Sequence, residues 1–114
     1  EAIGDLPVTV TPVGPSAEPS PIASMQSPGY RLIAGLAAST FQTPIAPLLM
    51  IGATDSRHMS VLSADIYRFT PVQLGTGDTA RIHGIDERIS IENLSRMLGF
   101  YQQVLAGGSA RTLP

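Results

Sequence analysis

The distribution of proline constrains the fold of this chain more than any other feature, because proline interrupts helices and central strands alike. Six of the ten prolines lie within residues 1–28. Those at positions 12, 15, 19, 21 and 28 exclude an ordinary helix from this part of the chain. We therefore predict an extended crossing linker at 14–27, of the kind that joins two domains.

A strand is predicted before that linker. Residues 6–13 alternate apolar and polar side chains with a period of two, which is typical of a half-buried strand. Pro7 and Pro12 near its ends suit an edge position, where a missing backbone N–H is tolerated.

A first helix is predicted to begin at Ser27 and Pro28, with serine as the N-cap and proline in the first turn. Pro44 and Pro47 end it and restart the chain. One helical face then carries the apolar side chains, which are Tyr30, Ile33, Leu36 or Ala37, and Phe41.

A second helix is predicted near the end of the chain. Ser90 caps it, and Glu92 in its first turn complements the helix dipole. Gly107 and Gly108 stop it, so that residues 109–114 form a tail. Its apolar stripe consists of Ile91, Leu94, Leu98, Tyr101 and Leu105.

Two further strands are predicted between the helices. Residues 48–51 form a short, continuous apolar run, which favours a buried parallel strand. Residues 64–69 are rich in side chains that favour strands. The order of elements indicates an α/β fold with a partial sheet and flanking helices. Two main strands do not complete such a sheet, so we expect either a missing part of the protein or self-association to complete it.

Composition narrows the classes of partner. The formal net charge of −2 gives no basis for binding nucleic acid. The absence of cysteine excludes disulfides and thiolate metal sites. No apolar run is long enough to span a bilayer, so no membrane partner is expected, and the compartment is not indicated. Only 14% of residues are charged, which suggests that other protein normally covers much of the surface.

His83 is the first candidate functional residue. Neutral imidazole is a good zinc ligand, and the nearby Asp86 and Glu87 are acidic groups that could orient it. Composition alone favours a solvent-facing or hydrogen-bonded histidine in a turn, because one histidine without partners makes no metal site.

The segment 52–58 is the second candidate. A glycine-started turn after a buried strand would present backbone N–H groups, hydroxyls and the Arg57 guanidinium, which together could bind a carboxylate. Alternatively, Asp55 caps a short helix and pairs with Arg57. His58 could be a second metal ligand with His83, although a partly buried neighbour of the turn is favoured.

Three other chemistries are rejected. A triad of Ser56, His83 and Asp86 lacks the Gly-x-Ser-x-Gly elbow. The glycines at 75 and 77 lack the lysine and the helix start of a phosphate loop. Residues 67–69 are better explained as strand and core than as a base-stacking platform.

Three motifs in order resemble one known family. They are residues 51–57 (IGATDSR), 66–71 (IYRFTP) and 81–90 (RIHGIDERIS), followed by the amphipathic helix. The combination is similar to the C-terminal end of the dinuclear zinc peptidases of the aminoacylase and carboxypeptidase S family. The branch that contains secreted N-fatty-acyl-amino-acid hydrolase/synthases is the most similar. The resemblance extends over roughly residues 5–106.

The resemblance implies a site for each motif. His83 matches the family's last histidine ligand of a two-zinc centre, where a metal-bound water attacks the substrate. Gly52, Thr54, Asp55 and Arg57 match the turn that holds the carboxylate end of an N-acyl amino acid or short peptide, with Arg57 as the direct contact. Asp86 and Glu87 match the acidic residues of the family's final motif, and we assign them orienting and capping roles.

The resemblance also implies a division of the chain. Residues 1–13 match the end of the lid domain, through which family members dimerise, so a homo-oligomer is expected. Residues 28–108 match the C-terminal part of the catalytic domain. The family's other metal ligands and its general base are absent from these 114 residues. We therefore expect an inactive fragment whose partner is the missing N-terminal part of the same protein. The alternative is a non-catalytic interaction domain that self-associates.

Overall fold

In a computed structural model of the chain, the described residues are 7–9, 11–14, 18–52 and 54–109. Helix α1 spans Pro28–Phe41, and helix α2 spans Ile91–Ser109. Two 3₁₀ helices lie between them, at Asp55–Val61 and Thr79–Arg81. Positions 6 and 10 of the predicted strand at 6–13, and residues 110–114 of the predicted tail, lie outside the described residues.

The first predicted helix is confirmed. Ser27 is its N-cap and accepts a hydrogen bond from the Tyr30 backbone N–H at 3.0 Å, with Pro28 in the first turn. The helix ends at Phe41, and Gln42 takes a left-handed conformation (φ 51°) at the C-cap. Within the predicted apolar face, Ala37 is only 1% exposed, and the other side chains are partly buried.

The start of the second predicted helix is confirmed, but its predicted end is wrong. The Ser90 hydroxyl accepts from the Asn93 backbone N–H at 3.1 Å. The helix then continues through Gly107 and Gly108 to Ser109. A Cβ at position 107 would lie 2.9 Å from Cδ1 of Leu32, so this glycine serves the close approach of α2 to α1. Close packing therefore explains a glycine that was predicted to terminate the helix.

The predicted apolar stripe of α2 faces outward. The five side chains at 91, 94, 98, 101 and 105 are all exposed. Phe100 is instead the buried side chain, at 2% exposure, with Met97 and Val104 partly buried on either side. Among the helices of the described residues α2 contacts only α1, and the stripe lies outside that contact and stays exposed. The helix is thus apolar on two sides, of which the chain covers one.

The segment 66–71 connects the two helices. Tyr67 packs against Tyr30 of α1 with ring centroids 5.8 Å apart, and Phe69 packs against Phe100 of α2 at 5.3 Å. Pro71 is fully buried at the end of the segment. These aromatic contacts form the small core of the chain.

The predicted sheet is not present among the described residues. No strand forms there, at 48–51, at 64–69 or in the described part of 6–13. Strands need a neighbouring strand to satisfy their backbone groups, and none lies beside these segments. Residues 48–51 are instead exposed, with Leu48 at 91% and Ile51 at 102%. The α/β assignment and the domain boundaries therefore remain predictions.

The chain covers little of its own surface. Its radius of gyration is 18.5 Å, whereas a compact domain of this length has about 13 Å. Its accessible surface is 9691 Å², whereas a folded monomer of this mass exposes about 6000 Å². Exposed apolar side chains contribute to this surface, as the segment 48–51 and the α2 stripe illustrate. Within the described part of the chain, neither α-helix has the length and apolar character needed to cross a membrane.

Candidate substrate-binding turn and histidine corner

The turn that contains Thr54 is built on the first 3₁₀ helix. Thr54 has extended backbone angles and is the N-cap, and its carbonyl accepts from the Arg57 backbone N–H at 3.1 Å. Its side chain does not cap the helix. The Thr54 hydroxyl instead lies 2.5 Å from the Ser56 hydroxyl. The turn thus presents a pair of hydroxyl groups beside one another.

The charged residues of the turn do not pair with each other. Asp55 and Arg57 are both exposed, and no ion pair joins them. The Arg57 Nε donates to Nε2 of His58 at 3.2 Å. His58, for which partial burial was favoured, is exposed. The alternative in which Asp55 caps the helix and pairs with Arg57 is therefore not what this turn does.

Arg68 completes the turn from a distant part of the chain. Its Nε donates to the hydroxyls of Thr54 at 3.0 Å and Ser56 at 2.8 Å. Its Nη2 lies 3.5 Å from the hydroxyl of Ser20. The sequence interpretation placed Arg68 in strand and core, and missed this role. The only indication was an arginine among residues that favour burial at 66–69.

A small cavity of about 80 Å³ lies beside Arg68. Its lining consists of Ser20, Pro21, Ser60, Ser63, Ala64, Ile66 and Arg68. Hydroxyl groups and one guanidinium supply its polar character, and no carboxylate of the described residues contributes. Such a lining suits an anionic group better than a cation.

His83 lies in a separate tight corner. Its backbone takes a left-handed conformation with φ 61°, which histidine adopts more often than most residues but at an energetic cost. The next residue is glycine for a steric reason, because a Cβ at Gly84 would lie 3.0 Å from the Arg81 carbonyl oxygen. The His83 side chain is exposed.

Of the two acidic residues after His83, Glu87 contacts the backbone of this corner. Glu87 Oε2 accepts from the His83 backbone N–H at 3.3 Å. Asp86 lies 3.5 Å from the Arg88 guanidinium in an exposed ion pair. Neither carboxylate bonds to the imidazole, so the predicted orienting role of Asp86 and Glu87 has no direct contact behind it in this chain.

The histidine corner does not form a metal site by itself. Within the ranges that the structure describes, no three histidine, aspartate or glutamate side chains cluster so that they could hold a metal ion. A zinc site needs at least three protein ligands. His83 would therefore be one ligand of any such site, and the described residues do not fit a complete one. The candidate residues assemble as two groups, the hydroxyl turn with Arg68 and the histidine corner.

Curated proteins match most of this chain. It is 41% identical over 100 residues to an N-fatty-acyl-amino acid synthase/hydrolase of Danio rerio, covering 85% of the chain and 19% of that protein. It is 35% identical over 104 residues to a probable carboxypeptidase S-like protein of Dictyostelium discoideum, covering 90% of the chain and 20% of that protein. It is 38% identical over 101 residues to an N-fatty-acyl-amino acid synthase/hydrolase of Xenopus tropicalis, covering 87% of the chain and 20% of that protein.

The chain thus spans about a fifth of the length of these relatives. No family model and no solved structure matches it. The resemblance inferred from the three motifs is confirmed, whereas the roles of individual residues remain predictions.

Proposed function

We propose, from the membership of this chain in the family of carboxypeptidase S-like proteins and N-fatty-acyl-amino acid synthase/hydrolases, that the whole protein is a hydrolase. Its substrate would be an N-acyl amino acid or a short peptide with a free carboxylate, cleaved at the amide bond. The observation that carries this proposal is the 41% identity over 85% of the chain to a synthase/hydrolase of N-fatty-acyl amino acids.

The turn at 52–57 would contribute the pocket for the substrate's carboxylate end. Gly52, Thr54, Asp55 and Arg57 are the residues that we assign to it. Two features support this assignment. The hydroxyls of Thr54 and Ser56 lie side by side, and the guanidinium of Arg57 is exposed to an incoming ligand. Hydroxyl and guanidinium donors make charge-assisted hydrogen bonds to carboxylates.

His83 would contribute one ligand to a zinc centre whose remaining ligands lie outside this chain. Zinc held by several ligands supplies Lewis acidity toward a scissile carbonyl. The chemistry of imidazole and the exposure of the His83 side chain support this role. The 114-residue chain by itself would then bind no stoichiometric zinc and catalyse no hydrolysis.

The test compares the 114-residue chain with the full-length protein for zinc content and for hydrolysis of N-acyl amino acids. We expect stoichiometric zinc and turnover in the full-length protein only. Turnover by the short chain would overturn its role as a part of the site. A full-length protein without hydrolase activity on any N-acyl amino acid or peptide would overturn the proposed function.

Substitution of His83 tests the ligand role. His83→Ala should abolish activity and lower the zinc content of the full-length protein while leaving the stability of the 114-residue chain nearly unchanged, since the side chain is exposed. His58→Ala is the matched control and should retain zinc. A large loss of stability in the short chain would show that His83 is structural.

The second candidate function is a non-catalytic domain that self-associates. The exposed apolar stripe of α2 favours it, because such a surface is normally covered by protein. The family's dimers make a homo-oligomer compatible with either function. Hydrolase activity and zinc in the full-length protein decide between them, because the second candidate requires neither.

A further inference from the structure

The hydrogen-bond partners of Arg68 within the described residues are all hydroxyl groups. Arg81, Arg88 and Arg96 each have a carboxylate within ion-pairing distance, namely on Asp78, Asp86 and Glu92. Within the described residues Arg68 has none, although its side chain is partly buried. Removing a guanidinium from water without an opposite charge is unfavourable, and a bound anion would offset that cost.

We infer that Arg68, together with the hydroxyls of Thr54 and Ser56, forms a subsite that binds a carboxylate group. This inference rests on the proposed function in one respect, which is that the carboxylate belongs to the substrate. Arg68 would then determine specificity for substrates with a free carboxylate, in addition to the role assigned to Arg57.

The hydrogen-bond donors of Arg68 support such a subsite. A guanidinium has five N–H donors. The Nε–H is shared between the hydroxyls of Thr54 and Ser56, and one Nη2 hydrogen reaches toward Ser20. No hydrogen bond from Nη1 is found within the described part of the chain. These remaining N–H groups form part of a planar fork that matches the two oxygens of a carboxylate.

The hydroxyl pair supplies a further donor. Thr54 Oγ1 and Ser56 Oγ are 2.5 Å apart, so one hydroxyl proton is used between them. Both oxygens also accept from Arg68 Nε, which fixes their positions. The second hydroxyl proton is then available to a ligand. The hydroxyl pair and the Arg68 guanidinium thus lie within hydrogen-bonding distance of one another.

The cavity beside Arg68 gives the anion room. Its volume of about 80 Å³ accommodates a few waters or one carboxylate group. The Ser63 hydroxyl accepts from the Asp65 backbone N–H at 3.0 Å, so its own proton is available to donate. No aspartate or glutamate among the described residues lines the cavity.

Arg57 and Arg68 differ in the strength of the interaction that each can make. Arg57 is exposed and donates to His58, so water screens its charge. Arg68 is partly buried and held by residues from two other segments, at 20 and at 54–56. A carboxylate at Arg68 would therefore be bound in a less screened and more rigid environment.

The experiment uses the full-length protein and two substrates that differ at one group, an N-acyl amino acid and its primary amide. The ratio of kcat/KM for acid over amide is measured in the wild type, in Arg68→Gln and in Arg31→Gln. We expect Arg68→Gln to lower this ratio by about tenfold or more. Arg31→Gln should leave it unchanged, because Arg31 is exposed on α1 and makes no side-chain hydrogen bond in the described region.

The ratio separates carboxylate binding from structural damage. Both substrates are measured on the same preparation, so the fraction of folded protein cancels. Equal losses for acid and amide would show that Arg68 only supports the turn, and would overturn the inference. Arg68→Lys provides a second variant, which keeps the charge but loses the fork, and its ratio should fall between those of wild type and Arg68→Gln.

A binding measurement separates this inference from the proposed function. Equilibrium binding of an N-acetyl amino acid and of its primary amide is compared in the wild type and in Arg68→Gln. Preference for the acid that is lost in the variant supports the subsite even if the protein hydrolyses neither compound. A wild type that binds acid and amide equally would overturn the subsite, whatever its activity.

Discussion

Gly107 of α2 lies so close to Leu32 of α1 that a Cβ at this glycine would stand 2.9 Å from Cδ1 of Leu32. Alanine favours a helix interior over glycine by about 1 kcal/mol. At position 107 the higher helix propensity of alanine would be opposed, because its Cβ would displace Leu32. Overpacking of this kind lowers the free energy of unfolding by about 1–3 kcal/mol.

Gly99 in the same helix provides the matched control, because no atom of the described residues lies within 4 Å of the Cβ position there. Gly99→Ala should raise the free energy of unfolding by about 0.5–1 kcal/mol. Gly107→Ala should be less stable than Gly99→Ala by about 1–3 kcal/mol. Urea unfolding followed by circular dichroism measures both. Equal stabilisation by the two substitutions would show that the helices do not approach at Gly107.

The Ser27 hydroxyl serves two purposes at once. It accepts from the Tyr30 backbone N–H at 3.0 Å and lies 2.5 Å from the Tyr67 hydroxyl, which also donates to the Ser24 carbonyl. Ser27→Ala should therefore lower the free energy of unfolding by about 1–3 kcal/mol, through loss of a cap and of a part-buried partner.

Ser39→Ala is the control for the Ser27 substitution. Ser39 is exposed within α1, and its hydroxyl donates only to the Leu36 carbonyl. Alanine has the higher helix propensity, so this change should be neutral or slightly stabilising. Thermal unfolding of the two variants makes the comparison. A Ser27 variant as stable as the Ser39 variant would contradict the part played by Ser27 in joining α1 to residue 67.

The helices could be predicted from sequence because their determinants are local. Ser27, Pro28 and Ser90 act within one turn of the helices that they begin. The side of α2 that becomes buried depends on residues distant in the sequence. Phe69 packs against Phe100, and Leu32 lies against Gly107. Periodicity alone identified an apolar stripe, but it did not identify which of two apolar sides packs within this chain.

The candidate site was predictable to a similar extent. The motifs identified the turn at 52–57 and the corner at His83, because short patterns carried the resemblance. Arg68 was missed because its contact with Thr54 joins residues fourteen positions apart, and no local pattern indicates it. The predicted sheet did not form among the described residues because strands require partners that no local apolar run supplies.

Asn93 ties the start of α2 to the preceding loop. Its Oδ1 accepts from the Gln73 backbone N–H at 3.0 Å, and its Nδ2 donates to the Gln73 carbonyl at 2.9 Å. Asn93→Ala should lower the free energy of unfolding by about 1–2 kcal/mol, because both backbone groups lose their partner. Gln102→Ala on the exposed side of α2 should change stability by less than about 0.5 kcal/mol.

Hydrogen exchange locates the effect of the Asn93 substitution. The Gln73 amide should exchange faster in the Asn93 variant, while amides in the middle of α1 keep their protection relative to global unfolding. Unchanged exchange at Gln73 would mean that its amide is protected by something other than this side chain.

The exposed stripe of α2 should govern the association of the 114-residue chain. Its members at 91, 94, 98, 101 and 105 are spaced alternately three and four residues apart, the pattern by which helices pack against one another. Leu98, at 61% exposure, lies at the centre of the stripe. Leu98→Gln should therefore weaken concentration-dependent association, measured by sedimentation, and should leave helix content unchanged.

Phe100, two residues away in the sequence but 2% exposed, is the control on the opposite side of α2. Phe100→Ala removes packing against Phe69 and should lower the free energy of unfolding by about 3–5 kcal/mol, so it lowers helix content as well.

Association that persists unchanged in Leu98→Gln would exclude the stripe as the contact surface of the short chain. In the full-length protein, the same Leu98 substitution should instead lower stability if the missing part of the protein covers the stripe. Comparing the Leu98 variant of the 114-residue chain with that of the full-length protein therefore identifies which surface normally covers the exposed side of α2.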